Sequence, residues 1–158
     1  MRHEVFDLLL LANCVYALLR GGAPERLVAA TFLVGDLLSA AAVLNHSGRY
    51  VGEEYGLFAT DVLILVVLVA VALLSTRWWP LFVAALQLNG VLVHLVHLTA
   101  PRTLPGAYLN ASALWAYPML FILAIATWRH RRRLASTGKD PSWCRPAFRR
   151  AAPGSPSI

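Results

Sequence analysis

The chain has 158 residues, of which 58% are hydrophobic and 14% charged, and its mean hydropathy is +0.60. Soluble domains carry roughly 25% charged residues, and a chain this short and apolar lacks the polar surface to cover itself in water. The balance argues against a soluble domain and for one whose exterior is covered by lipid. The formal charge is +6, yet 8 of the 14 Lys and Arg residues lie from Arg129 onward. Cys14 lies in an apolar run and Cys144 in the basic tail, so no disulfide framework is expected.

Five apolar runs predict five transmembrane α-helices, at about 5–19, 27–44, 57–75, 79–99 and 108–128. The last four are close to the ~20 residues that cross ~30 Å of hydrocarbon, and the first is short for a span. Residues 1–133 are therefore expected to form an all-α membrane bundle of about five helices, and 134–158 a disordered basic cytoplasmic tail. Asp7 interrupts the first run and no small-x-small cleavage site follows it, so the segment is expected to be retained. Gly21-Gly22-Ala23-Pro24-Glu25 closes the first helix with glycine and opens the second with proline and an acid. The polar stretch from Asn45 to Gly56 is expected as a loop. Ser75 to Pro80 is expected as a tight turn with interfacial tryptophans. Pro101 and Pro105 break the chain before the fifth run, inside which Pro118 is expected to remove one ladder bond and free the carbonyl of Leu114.

The Lys/Arg bias predicts the orientation. With a cytoplasmic C-terminus, Arg20, Arg26, Arg77 and the whole tail lie inside, leaving Arg2, Arg49 and Arg102 outside beside Glu4, Glu53 and Glu54. The run Arg129–Arg133 directly follows an apolar stretch, so its expected partner is the bilayer, through anionic headgroups, and no nucleic acid.

Ionisable residues inside spans are costly and make the default functional hypothesis. Asp36 falls near the centre of its run, Asp61 in the expected first turn of the third helix, and His94 and His97 in the fourth. Steps of 100° put Gln87, Gly90, His94 and His97 within about an 80° stripe, which should face other helices rather than lipid. Gly35 and Ser39 form a small pair beside Asp36, suited to close packing. The expected ligand or ion site comprises Asp36, Asp61, Gln87, His94, His97 and Asn110, in the outer half of the bundle. The two histidines with an aspartate could also hold a metal, the basis of a distant third reading as a membrane metal enzyme. No known nucleophile, phosphate-loop or HExxH pattern occurs, so the sequence favours a role other than catalysis and leaves enzyme activity, cofactor and metal open.

The blocks Gly21–Arg26, Arg77-Trp78-Trp79-Pro80, Trp115–Leu120 and Trp128-Arg129-His130 resemble uncharacterised small polytopic bacterial inner-membrane proteins. That resemblance implies an inner-membrane location and carries no activity. The expected function is solute or ion binding or transport by an oligomer. The alternative is an accessory or structural subunit of a larger membrane complex.

Overall fold

The computed structural model describes the backbone of residues 2–45, 50–99, 113–138, 140 and 143. It describes their side chains apart from those of 2, 3, 43–45, 50–54, 97–99 and 113. Five α-helices account for nearly all of it: α1 (Arg2–Arg20), α2 (Ala23–Asn45), α3 (Tyr50–Leu74), α4 (Trp79–Thr99) and α5 (Ala116–Thr137), the last entered through a 3-10 turn at Ala113–Trp115. Helices consecutive in sequence pack side by side, and α5 closes the bundle against α1, α4 and α2. The turns α1–α2 and α3–α4 and the C-terminus of α5 share one end, rich in arginine and called the basic end below.

Each helix buries a stripe of small and branched residues at helical spacing. These are Leu10, Cys14 and Ala17 on α1, Val28, Ala29 and Phe32 on α2, Leu68 and Val71 on α3, Val83 and Ala84 on α4, and Met119, Leu120 and Leu123 on α5. Gly35 lets α2 close on α3, because a Cβ there would stand 2.4 Å from Ile64 Cδ1. The opposite faces are apolar too. Leu8, Leu37, Leu73, Leu81 and Phe121, one from each helix, are each more than half exposed. Polar side chains along the helices often bond their own backbone. Thr31, Thr60 and Thr127 donate to the carbonyl four residues back, and so does exposed Asn89.

Two helices, over Tyr55–Leu74 and Trp79–Val96, are long and apolar enough to cross a membrane. Among the described residues the other three do not meet that test, so the expected five spans are reached in two. Glu4, Asp7 and Arg20 interrupt α1, and the apolar runs of α2 and α5 continue into residues outside those whose side chains are described, at 43–45 and 108–112.

Three other boundaries move. α1 extends to 19 residues, longer than the apolar run that marks it. α3 begins at Tyr50, so the expected loop from Asn45 to Gly56 is helical over its second half. α5 runs on to Thr137, past the expected start of the tail at 134, and stops at Gly138. Gly138 adopts φ +67°, and its N–H donates to the carbonyl of Leu134, a left-handed cap that glycine accepts without strain. Pro118 also changes meaning. It is the third residue of α5, where the N–H has no intrahelical partner to lose, so it breaks no ladder bond. The turns fit expectation: Gly21 seals α1 by donating to Ala17 O at 2.8 Å, and Ser75 to Trp78 connects α3 to α4.

Candidate functional site

Asp61 lies eleven residues into α3, beyond the reach of the helix dipole that a first-turn position would have offered. Side chains of α4 hold it instead. Gln87 Nε2 donates to Asp61 Oδ1 at 2.9 Å, and His94 Nε2 lies 3.1 Å from Asp61 Oδ2. Gln87 also reaches the backbone carbonyl of Asp61 at 3.3 Å. Gln87 is buried, whereas Asp61 and His94 are 25% and 21% exposed. Both carboxylate oxygens thus have a partner, and Asp61 still borders open space.

That space is two adjoining cavities of about 200 and 250 Å³. Ser39, Asp61, Gln87, Ala116 and Met119 line both, so α2, α3, α4 and α5 all contribute. Asp36 enters the wall of the first, His94 and Gly90 that of the second. Of the expected stripe, Gln87, Gly90 and His94 therefore face the bundle. Of the expected site residues, Asp61, Gln87 and His94 form one bonded cluster, and Asp36 shares its cavity from α2. The side chain of His97 and the whole of Asn110 lie outside the described residues. No three His, Cys, Asp or Glu side chains converge as a metal site among the described residues. Phe6 and Tyr117 pack edge to face, with centroids 5.3 Å apart, and join α1 to α5. Further along α1, Asn13 donates to the Leu120 carbonyl.

A second polar cluster, absent from the sequence reading, occupies the basic end. Asp140 accepts from Arg77, lies 2.6 Å from His130 Nδ1 through Oδ2, and accepts from Arg133 Nε at 3.2 and 3.3 Å. Its side chain is 6% exposed. Burial alone would raise its pKa, but the hydrogen bonds from Arg77 and His130 and the charges of Arg77 and Arg133 outweigh burial and lower it. Trp143 pairs with Ser75 in an isolated antiparallel bridge, a further tie to the α3–α4 turn. Glu25, only 1% exposed, stands nearby: its Oε2 and His130 Cε1 would each lie 2.9 Å from a Cβ on Gly22. Neither Glu25 oxygen has a hydrogen-bond partner among the described residues. The only sequence signals for this cluster are a histidine inside an arginine run and a lone acid after Lys139, and neither specifies a contact.

In comparisons with protein-family models, curated proteins and solved structures, none matches the chain.

Proposed function

We propose that the chain is a multi-pass protein of the inner (plasma) membrane, that its five helices cross the bilayer and its C-terminus is cytoplasmic. We further propose that the Asp61–Gln87–His94 cluster with Asp36 binds a small cation or proton in the outer half of the bundle. Three observations support the membrane placement. Large apolar side chains are exposed on all five helices. Only 22% of Tyr55–Leu74 and 33% of Trp79–Val96 are buried, unlike the core helices of a soluble protein. The arginines gather at one end, as the positive-inside rule requires of a cytoplasmic face.

One observation carries the binding proposal: a carboxylate inside an apolar helix, bridged to an amide and an imidazole, on the wall of a cavity that a second carboxylate also lines. Such groups are expensive in a membrane and are kept where they bind or relay charge. The cavities fall below the ~300–1,000 Å³ typical of drug-sized ligand sites, which favours an ion or a very small solute. A five-helix chain encloses little more, so it acts as an oligomer.

The test is purified protein in sealed vesicles carrying a pH-sensitive dye, under an imposed potential, with protons and then monovalent cations as the probes. Wild type is expected to pass one of them and Asp61→Asn and His94→Gln to lose the flux. Equal flux in all three proteins would refute the site. Topology is read by impermeant thiol labelling of Ser47→Cys and Ser136→Cys in a Cys144→Ser background, with external labelling expected at position 47 alone.

The second reading, an accessory subunit whose polar groups hold helices together, draws on the completeness of the Asp61 bonding. It predicts a stable larger complex on purification in mild detergent. It also predicts that the same substitutions disturb assembly and leave no flux to lose.

A further inference from the structure

At the basic end, a cleft of about 510 Å³ opens between the start of α4 and the last turns of α5. Arg77, Arg129 and Arg133 line one part of it, and no acidic residue does. Asp140 engages two of these arginines without itself lining the cleft, so it holds their guanidinium groups in place. Arg133 uses Nε for that contact, and Arg129 pairs with no carboxylate among the described residues. Below the arginines the wall turns apolar. Ile125 and Ile122 follow Arg129 at four and seven residues back along one face of α5, and Phe82 and Trp79 face them from α4. Trp79 adds a buried indole N–H that has no hydrogen-bond partner among the described residues.

We infer that this cleft binds one anionic phospholipid, its phosphate among Arg77, Arg129 and Arg133 and its acyl chains along Ile125, Ile122 and Phe82. The inference rests on the membrane placement proposed above. Two features select this ligand. Arginine clusters match phosphate geometry through paired N–H donors, and the N-terminus of α4 adds a favourable dipole. A free phosphate would leave the apolar floor and most of the volume unused, whereas a phospholipid fills both. Exposed Trp78 stands at the rim, at the depth tryptophan prefers in a bilayer.

The experiment uses the full chain in mild detergent, mixed with phosphatidylglycerol or phosphatidylcholine and observed as an intact complex by mass spectrometry. One phosphatidylglycerol per chain is expected, with phosphatidylcholine retained far less. Arg129→Gln should lower retention about fivefold, the loss expected for one arginine at an anionic surface. Ile125→Trp should lower it by narrowing the floor. Arg132→Gln should not, since Arg132 lies outside the cleft, 4.7 Å over the ring of Trp128. Equal retention of the two lipids, equal losses at 129 and 132, or full displacement by inorganic phosphate would each overturn the inference. Resistance of the native chain to alkaline carbonate extraction is measured in parallel. Chain that stays in the membrane but shows no lipid preference refutes the cleft alone, and chain that is extracted refutes the membrane placement and the cleft with it.

Discussion

Asp140→Ala is the most informative single perturbation of stability. It removes the one carboxylate that Arg77, His130 and Arg133 share, and their side chains are 15%, 10% and 34% exposed. Deleting one partner of a buried ion pair costs about 3–5 kcal/mol, mostly because the remaining charge is left without compensation. Arg133 is a third exposed and contributes at most ~1 kcal/mol after solvent screening, so Arg77 and His130 carry the effect. A total near 3 kcal/mol follows, which lowers the thermal midpoint of a chain this size by roughly 6–12 °C. Asp140→Asn, which keeps a hydrogen-bond acceptor, should lose less. The pH dependence has a definite sign. A carboxyl held below its ordinary value contributes stability above the unfolded value near ~3.9, and loses it as pH falls through the lower folded value. Wild type should therefore lose its margin over Asp140→Asn only in acid, below about pH 4, and keep it from there through neutrality. Thermal unfolding in detergent across pH, followed by helical circular dichroism, measures both effects. A midpoint for Asp140→Ala equivalent to less than ~0.5 kcal/mol of loss, the range of ordinary surface changes, would refute the clamp.

Five further substitutions test the packing and the site. Gly21→Ala should destabilise by roughly 1–3 kcal/mol because its Cβ would stand 2.4 Å from the Ala17 carbonyl oxygen. Gly90→Ala, with nothing within 4 Å of the new Cβ, should be neutral or stabilise by up to ~1 kcal/mol; similar midpoints for the two would contradict the geometry. Glu25→Gln should stabilise by about 1 kcal/mol, since it replaces a buried carboxyl that lacks hydrogen-bond partners among the described residues, less what the α2 dipole returns to the acid. A loss there would mean that the carboxylate interacts favourably with His130. A double-mutant cycle on Asp61→Ala and Gln87→Ala should give a coupling of about 0.6–1.7 kcal/mol, the range for interhelical hydrogen bonds in membranes, and additivity within ~0.3 kcal/mol would remove the bond from the account.

The ends of α1 and α3 were legible because their apolar runs stop at residues of a different kind, Gly21-Gly22 and Ser75 to Trp78, whereas the end of α5 at Gly138 lies well past its apolar run, which stops at Trp128. The face of α4 was legible for a related reason. Gln87, Gly90 and His94 repeat at helical spacing, and a polar stripe on an apolar helix has only one low-energy direction to point, toward other helices. Asp61 is expected in a first turn, whereas it lies eleven residues into α3. Its depth depended on where α3 begins, and the residues from Tyr50 to Gly56 read as a loop because they are polar. A helix can start well outside an apolar run when its first turns lie in water or headgroups.

The cluster around Asp140 was illegible for a deeper reason. Its arginine partner in the α3–α4 turn is 63 residues away in sequence, and the stretch that carries Asp140 has no periodicity to assign it a face. Composition there resembles that of a solvated tail, which is what stop-transfer charge also looks like. What distinguishes a docked acid from a solvated one is the set of guanidinium and imidazole donors that the bundle gathers at its basic end, and that set exists only once α5 has packed against α4. The same dependence explains the spans. A count of apolar residues recovers α3 and α4, which satisfy the membrane test unaided. Within the described residues α1 carries acids and α5 carries arginines that such a count cannot weigh, and under the proposed membrane placement the cost of Asp36 on α2 is lowered where it borders the cavity.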